Sequence, residues 1–192
     1  MVEDVQKQQD TIIELLLATK REGMDKLVLE LLTPDFFIAP ASIRFHGSYV
    51  GGLAKHSFDV CQMVLRYNGE LKLGIAEETI TVSTLLHDVC KIGAYVKRDV
   101  PIGDAKPSWY WNRAQPKGHA LLSLVRVAEH IALTELEVLM IRYHMGVYGL
   151  NELDHKGEYP LRGGGLAYAW HHHPIVKVMY FCDELITLGE KP

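Results

Sequence analysis

Apolar side chains along this chain recur mostly at helical spacing. Between Val5 and Lys20 fall Ile12, Ile13, Leu15, Leu16 and Leu17, a partly amphipathic helix pattern. A second segment runs from about Glu22 to Leu32 and stops at Thr33-Pro34, a helix breaker. Gly51-Gly52 precede a helix predicted through about Tyr67. Glu77 to Ile92 reads as one buried helix, with Ile80, Val82, Leu85, Leu86, Val89 and Ile92. Two closely spaced segments follow, Gly118 to Ile131 and Thr134 to Met145. Pro174 suits the first turn of a last helix reaching about Leu188. No alternating apolar run is long enough to demand a sheet. The pattern predicts an all-α helical bundle forming a single domain over residues 1–192. Two stretches break the rhythm, Lys97 to Lys117 and Gly146 to Ala169, and loops of that length in a compact domain are often binding loops.

Composition narrows the class. The chain has 192 residues, 48% hydrophobic and 23% charged, which suits a globular domain and not a disordered one. With 24 acidic against 20 basic residues it is not a nucleic-acid-coating protein by overall charge. Cys61, Cys90 and Cys182 form no CxxC pair, so neither a zinc finger nor a disulfide framework is expected. The polar start, MVEDVQKQQD, does not read as a signal peptide, and no apolar run reaches the roughly 18 residues that span a bilayer. The expectation is a cytoplasmic protein without membrane contact.

The ten histidines change the picture by where they fall. His87-Asp88 sits inside the run Leu85-Leu86-His87-Asp88-Val89, and Asp183 sits in Val178-Met179-Tyr180-Phe181-Cys182-Asp183. A lone ionised carboxylate is very costly to bury, so each must be paired or bind a metal. His56, His87-Asp88 and Asp183 lie on separate predicted helices, which is how helical bundles build internal metal sites. Mixed imidazole and carboxylate donors suit transition metals and leave positions open for water or substrate.

These residues resemble the HD-domain superfamily of metal-dependent phosphohydrolases: one histidine, then His-Asp, then a distant aspartate. The flanks fit as well. His46-x4-Gly51-Gly52-Leu53-x2-His56 resembles the start of the first ligand helix in a subgroup that includes bacterial exoribonucleases. Leu85-Leu86-His87-Asp88-Val89-Cys90-Lys91 resembles the family's central segment, with Cys90 where a glycine often stands. The motif-bearing core runs over about 46–188, with N-terminal helices of residues 1–45 packed on it. The resemblance implies that His56, His87, Asp88 and Asp183 hold a first divalent ion. It also implies that His119 and His144 hold a second, bridged by Asp88. Tyr143 stands where the two-metal subgroup often has a further histidine. One ion or two is left open; with one, His119 and His144 become substrate contacts or proton donors. The metal could be Mn, Fe, Zn, Ni, Co or Mg.

The function so implied is hydrolysis of a phosphoester by metal-bound hydroxide, the substrate being a nucleotide or related small phosphorylated molecule. Asp88 and Lys91 are the catalytic candidates; Lys91, three residues after Asp88, either orients it or touches phosphate. Lys91, Arg113 and Lys117 are the substrate-binding candidates. The last two lie in a stretch carrying five basic residues against two acidic, beside Trp109, Tyr110 and Trp111, which could stack a base or cap the core. Other readings are a 3′–5′ exonuclease acting on short single-stranded nucleic acid, a non-catalytic metal-stabilised module binding a nucleotide or partner, and an oxygenase. His171-His172-His173 read as a helix start, His130 as peripheral and His155 as a loop residue.

Overall fold

The computed structural model describes residues 2–33, 35–43, 46–97, 109–114, 118–148 and 165–189. Among the described residues eight helices carry the fold: α1 (Val2–Ala18), α2 (Met24–Leu32), α3 (Gly52–Glu70), α4 (Glu77–Leu86), α5 (His119–Ala128), α6 (Glu135–Tyr143), α7 (Gly165–His172) and α8 (Pro174–Gly189). Among the described residues the remaining elements are one 3-10 turn, Val89–Lys91, and a two-stranded antiparallel ribbon, β1 (Tyr95–Lys97) with β2 (Trp109–Trp111). The protein is mostly helical, as the apolar spacing predicts. Its second strand falls within the Lys97 to Lys117 stretch that resisted a helical reading, β1 begins two residues before it, and the ribbon pairs Tyr95 with Trp111 and Lys97 with Trp109. Three residues of alternation on each side are too few to be seen as strands in the sequence.

The helix expected over Glu77 to Ile92 instead ends at Leu86, where the site begins. His87 keeps helical angles, but Asp88 leaves them at φ −112° and ψ 13°, and the 3-10 turn follows. The cause is local competition. His87 Nδ1 lies 2.7 Å from the Thr84 carbonyl, so the ring N–H donates to that oxygen three residues back. A side chain that takes up a helix's own carbonyl weakens the ladder at that point. In a 3-10 turn residues three apart eclipse, which brings Lys91 over Asp88.

Helix α3 packs on α4 and α8, α4 on α6, and α5 on both α6 and the 3-10 turn. Two apolar clusters result. One joins α1 and α2 to the inner helices through Ile12, Leu16, Leu27, Leu31, Leu53 and Leu86; the other joins α6 and α8 through Val60, Val64, Ile80, Met140 and Met179. Each such fully buried side chain is worth about 1.5–3 kcal/mol of transfer free energy before entropy is counted. Helices α3 and α4 feed both clusters, and the same two helices bury His56, Ser57, Ser83 and Thr84. Helix α3 opens on Gly51, held at φ 82°, a conformation that favours glycine. No helix among the described residues is long and apolar enough to cross a membrane.

Candidate metal centre

Six side chains converge from five places in the fold. His56 comes from the second turn of α3, His87 and Asp88 from the broken end of α4, His119 from the first residue of α5, His144 from the end of α6, and Asp183 from α8. Asp88 is central and only 2% exposed. Its Oδ1 lies 2.6 Å from His119 Nε2 and 3.7 Å from His144 Nε2. Its Oδ2 lies 2.6 Å from Lys91 Nζ, 3.4 Å from His87 Nε2 and 3.9 Å from His56 Nε2. Asp183 Oδ1 lies 2.9 Å from His56 Nε2 and 3.9 Å from His87 Nε2.

These atoms form three overlapping triads: His56–His87–Asp88, His87–His144–Asp183 and Asp88–Cys90–His119. Within each, the three donor atoms lie within 4.8 Å of one another. Among the described residues, His87 Nε2 is buried with no hydrogen-bond partner, while Asp88 Oδ1, also buried, faces the His119 and His144 nitrogens. Buried polar atoms are normally satisfied. His87 Nε2 lies between Asp88 and Asp183 in the donor set, so the residues fit a divalent cation.

The histidine rings are set for that task. His144 Nδ1 donates to the Ile141 carbonyl at 2.7 Å, as His87 Nδ1 does to Thr84. A carbonyl only accepts, so each Nδ1 carries the proton and each Nε2 faces the centre with its lone pair when the ring is neutral. Burial, and then the neighbouring His87, push His144 down to about 3, so it is neutral at physiological pH. At His87 burial opposes protonation, but the Asp88 carboxylate outweighs it and the pKa is raised. His119 is raised to about 10: burial opposes the charge, and Asp88 and Cys90 overcome it. Burial alone would raise the two carboxyls. Lys91, His87 and His119 instead hold Asp88 well below the usual range, and His56 does most to lower Asp183. Lys91 is raised because Asp88 outweighs its burial. The centre thus holds two carboxylates kept negative, with Lys91 and the raised His87 and His119 beside Asp88.

Lys91 contacts Asp88 directly and is 12% exposed, which places it as the residue that orients this carboxylate. Arg113 lies exposed just beyond β2, outside the cluster, and Lys117 lies outside the described residues. Trp109 is buried, whereas Tyr110 and Trp111 are 42% exposed, so the aromatic stretch divides between capping the core and facing solvent. Tyr143 turns away from the centre. Its hydroxyl packs so closely on the first residue of α7 that a Cβ at Gly165 would lie 2.0 Å from it. Of the histidine run only the last residue is a helix start: His171 and His172 close α7, both exposed, while His173 leads into α8 and its carbonyl accepts from the Val176 N–H at 3.0 Å. His130 pairs with Glu30 between α5 and α2. His155 lies outside the described residues.

Two residues at the centre carry no assignment from sequence. His46 stacks on His56 with ring centroids 4.7 Å apart, and among the described residues neither of its ring nitrogens, both buried, has a hydrogen-bond partner. Its place ten residues before His56, in the Gly51-Gly52 motif, is the signal that could have marked it. Cys90 lies 3.0 Å, sulfur to nitrogen, from His119 Nδ1. Compared with protein-family models, with curated proteins and with solved structures, the chain matches none.

Proposed function

We propose that the protein is an HD-type metal-dependent phosphohydrolase acting on a nucleotide or a related small phosphoester. The observation that carries this reading is the buried donor set His56, His87, Asp88, Asp183, His119 and His144, with His87 Nε2 unsatisfied at its middle. Its order along the chain resembles the HD pattern. A bound divalent ion supplies Lewis acidity and lowers the pKa of water toward about 7.

The chain's own residues supply the rest. His56, His87, Asp88 and Asp183 would hold one ion, and His119 and His144 would help hold a second. Lys91 fixes the Asp88 carboxylate and adds positive charge where an anionic phosphoryl group docks. The ribbon begins at Tyr95, four residues beyond Lys91, and its exposed Tyr110 and Trp111 offer faces on which a base can stack. That arrangement favours a nucleotide over a bare sugar phosphate.

Metal analysis of the purified protein comes first, then hydrolysis of nucleoside mono- and triphosphates, cyclic nucleotides and short RNA with several divalent ions. Chelation is expected to abolish turnover and a divalent ion to restore it. Asp88→Ala is expected to remove both metal and activity. Turnover that survives chelation would overturn the mechanism; bound metal without turnover on any phosphoester would leave a metal-stabilised binding module. Processive cleavage of RNA alone would make the protein an exonuclease.

A further inference from the structure

A metal-facing histidine is usually held at its other nitrogen, though His56 Nδ1 has no hydrogen-bond partner among the described residues. For His87 and His144 the partner is a backbone carbonyl three residues back, at 2.7 Å in both cases. His119 cannot use this device. It is the first residue of α5 and follows Gly118 at φ 115°, so α5 itself has no carbonyl three residues back to offer. The structure puts a sulfur there instead: Cys90 Sγ lies 3.0 Å from His119 Nδ1, while Nε2 of the same ring lies 2.6 Å from Asp88 Oδ1.

We propose that Cys90 is the positioning residue for His119, accepting its Nδ1–H so that Nε2 stays turned toward Asp88 and the second ion of the centre. The contact is built in from both sides. The Cys90 backbone N–H donates to the hydroxyl of Ser123, which is fully buried one turn along α5 from His119. Arg126, further along α5, donates to the carbonyls of Val89 at 2.8 Å and Ile92 at 3.3 Å, bracketing Cys90. The 3-10 turn is therefore tied to α5 at two points, and the thiol cannot drift from the ring. Glycine at this position would leave Nδ1 without the sulfur. Sulfur is a weak acceptor, so it orients the ring with less added basicity than a carboxylate would give. With the ion on Nε2, the thiol acts through the ring at Nδ1; direct ligation by Sγ, which the Asp88–Cys90–His119 triad would allow, is the alternative that the test separates.

This inference rests on the metal-centre reading, and the test separates the two. Zinc titration of the metal-free protein by calorimetry is compared for the wild type, Cys90→Ala and Cys90→Ser, with cobalt-loaded spectra of the wild type. The wild type is expected to show two classes of site. Cys90→Ala should weaken one class by roughly 10- to 100-fold and leave the other, and Cys90→Ser, whose hydroxyl also accepts a hydrogen bond, should restore most of that loss. Two unchanged classes in Cys90→Ala would overturn the positioning role while keeping the centre. A sulfur-to-cobalt charge-transfer band in the wild type, with Cys90→Ser as weak as Cys90→Ala, would overturn it by making the thiolate a direct ligand. A wild type that binds no zinc would overturn the metal reading, and this inference with it.

Discussion

At the scale of single residues, the centre pulls its histidines in opposite directions. Burial does most to push His46 down to about 4 and His144 down to about 3, whereas Asp88 and Cys90, against burial, push His119 up to about 10. In the unfolded chain each titrates near 6.5, to about one unit. Between about pH 4 and 6.5 the unfolded chain binds protons at His46 and His144 that the folded protein refuses, so stability rises with pH. Between about 6.5 and 10 the folded protein keeps a proton on His119 that the unfolded chain has lost, so stability falls as pH rises. The metal-free protein is therefore expected to be most stable near pH 6.5, read as the urea midpoint from pH 4 to 10. A midpoint that climbs steadily to pH 9 would show that His119 holds no such proton. A divalent ion must displace that proton, so its apparent affinity should increase through the alkaline limb.

At the scale of elements, the start of α3 decides how His46 meets His56. A Cβ at Gly52 would lie 2.0 Å from the Gly47 carbonyl oxygen, a backbone contact that cannot swing aside as a side chain would. The Gly51-Gly52 pair thus lets the His46-Gly47 segment lie directly on the first turn of the ligand helix. Gly52→Ala is expected to cost roughly 1–3 kcal/mol in urea unfolding, the usual range for overpacking. It should also separate His46 from His56, seen as a shift in the His46 ring resonances. A variant as stable as the wild type, with those resonances unmoved, would show that the close approach is not needed.

Across the whole molecule, the N-terminal helices are tied to the centre by an ion pair far from it. Arg21, between α1 and α2, donates to Glu137 of α6 at 2.9 Å through one nitrogen and pairs through a second, and it also pairs with Glu78 of α4. Glu137 is fully buried and caps the N-terminus of α6 together with Thr134. Helix α6 ends at His144, so this pair fixes the end opposite the ligand. Arg21→Met leaves a buried carboxylate unpaired and is expected to cost about 3–5 kcal/mol. Adding Glu137→Gln should recover part of that loss, because the orphaned charge is then gone. Purely additive urea unfolding energies would show that the two residues are not coupled.

The amino-acid sequence by itself determined most of the helices and marked the buried groups of the centre, but not α7, which begins inside the stretch read as a loop, nor the early end of α4. Helical spacing is a local property, and His87-Asp88 and Asp183 stand out because a carboxylate inside an apolar run is costly wherever the run folds. The eclipse of Lys91 over Asp88 is equally local. Only the tertiary structure decided what depends on partners distant along the chain. The sulfur of Cys90 meets a ring 29 residues away, and its role lies in that contact. The orphaned nitrogens of His46, the turn of Tyr143 toward Gly165 and the exposed place of Arg113 have the same character. The break of α4 lies between the two cases: a histidine three residues after a free carbonyl permits it, but convergence of five helical segments on Asp88 makes leaving the helix worth the lost hydrogen bonds. Residue types announce which groups must be compensated; the packing of α3, α4, α5, α6 and α8 selects which neighbour compensates each.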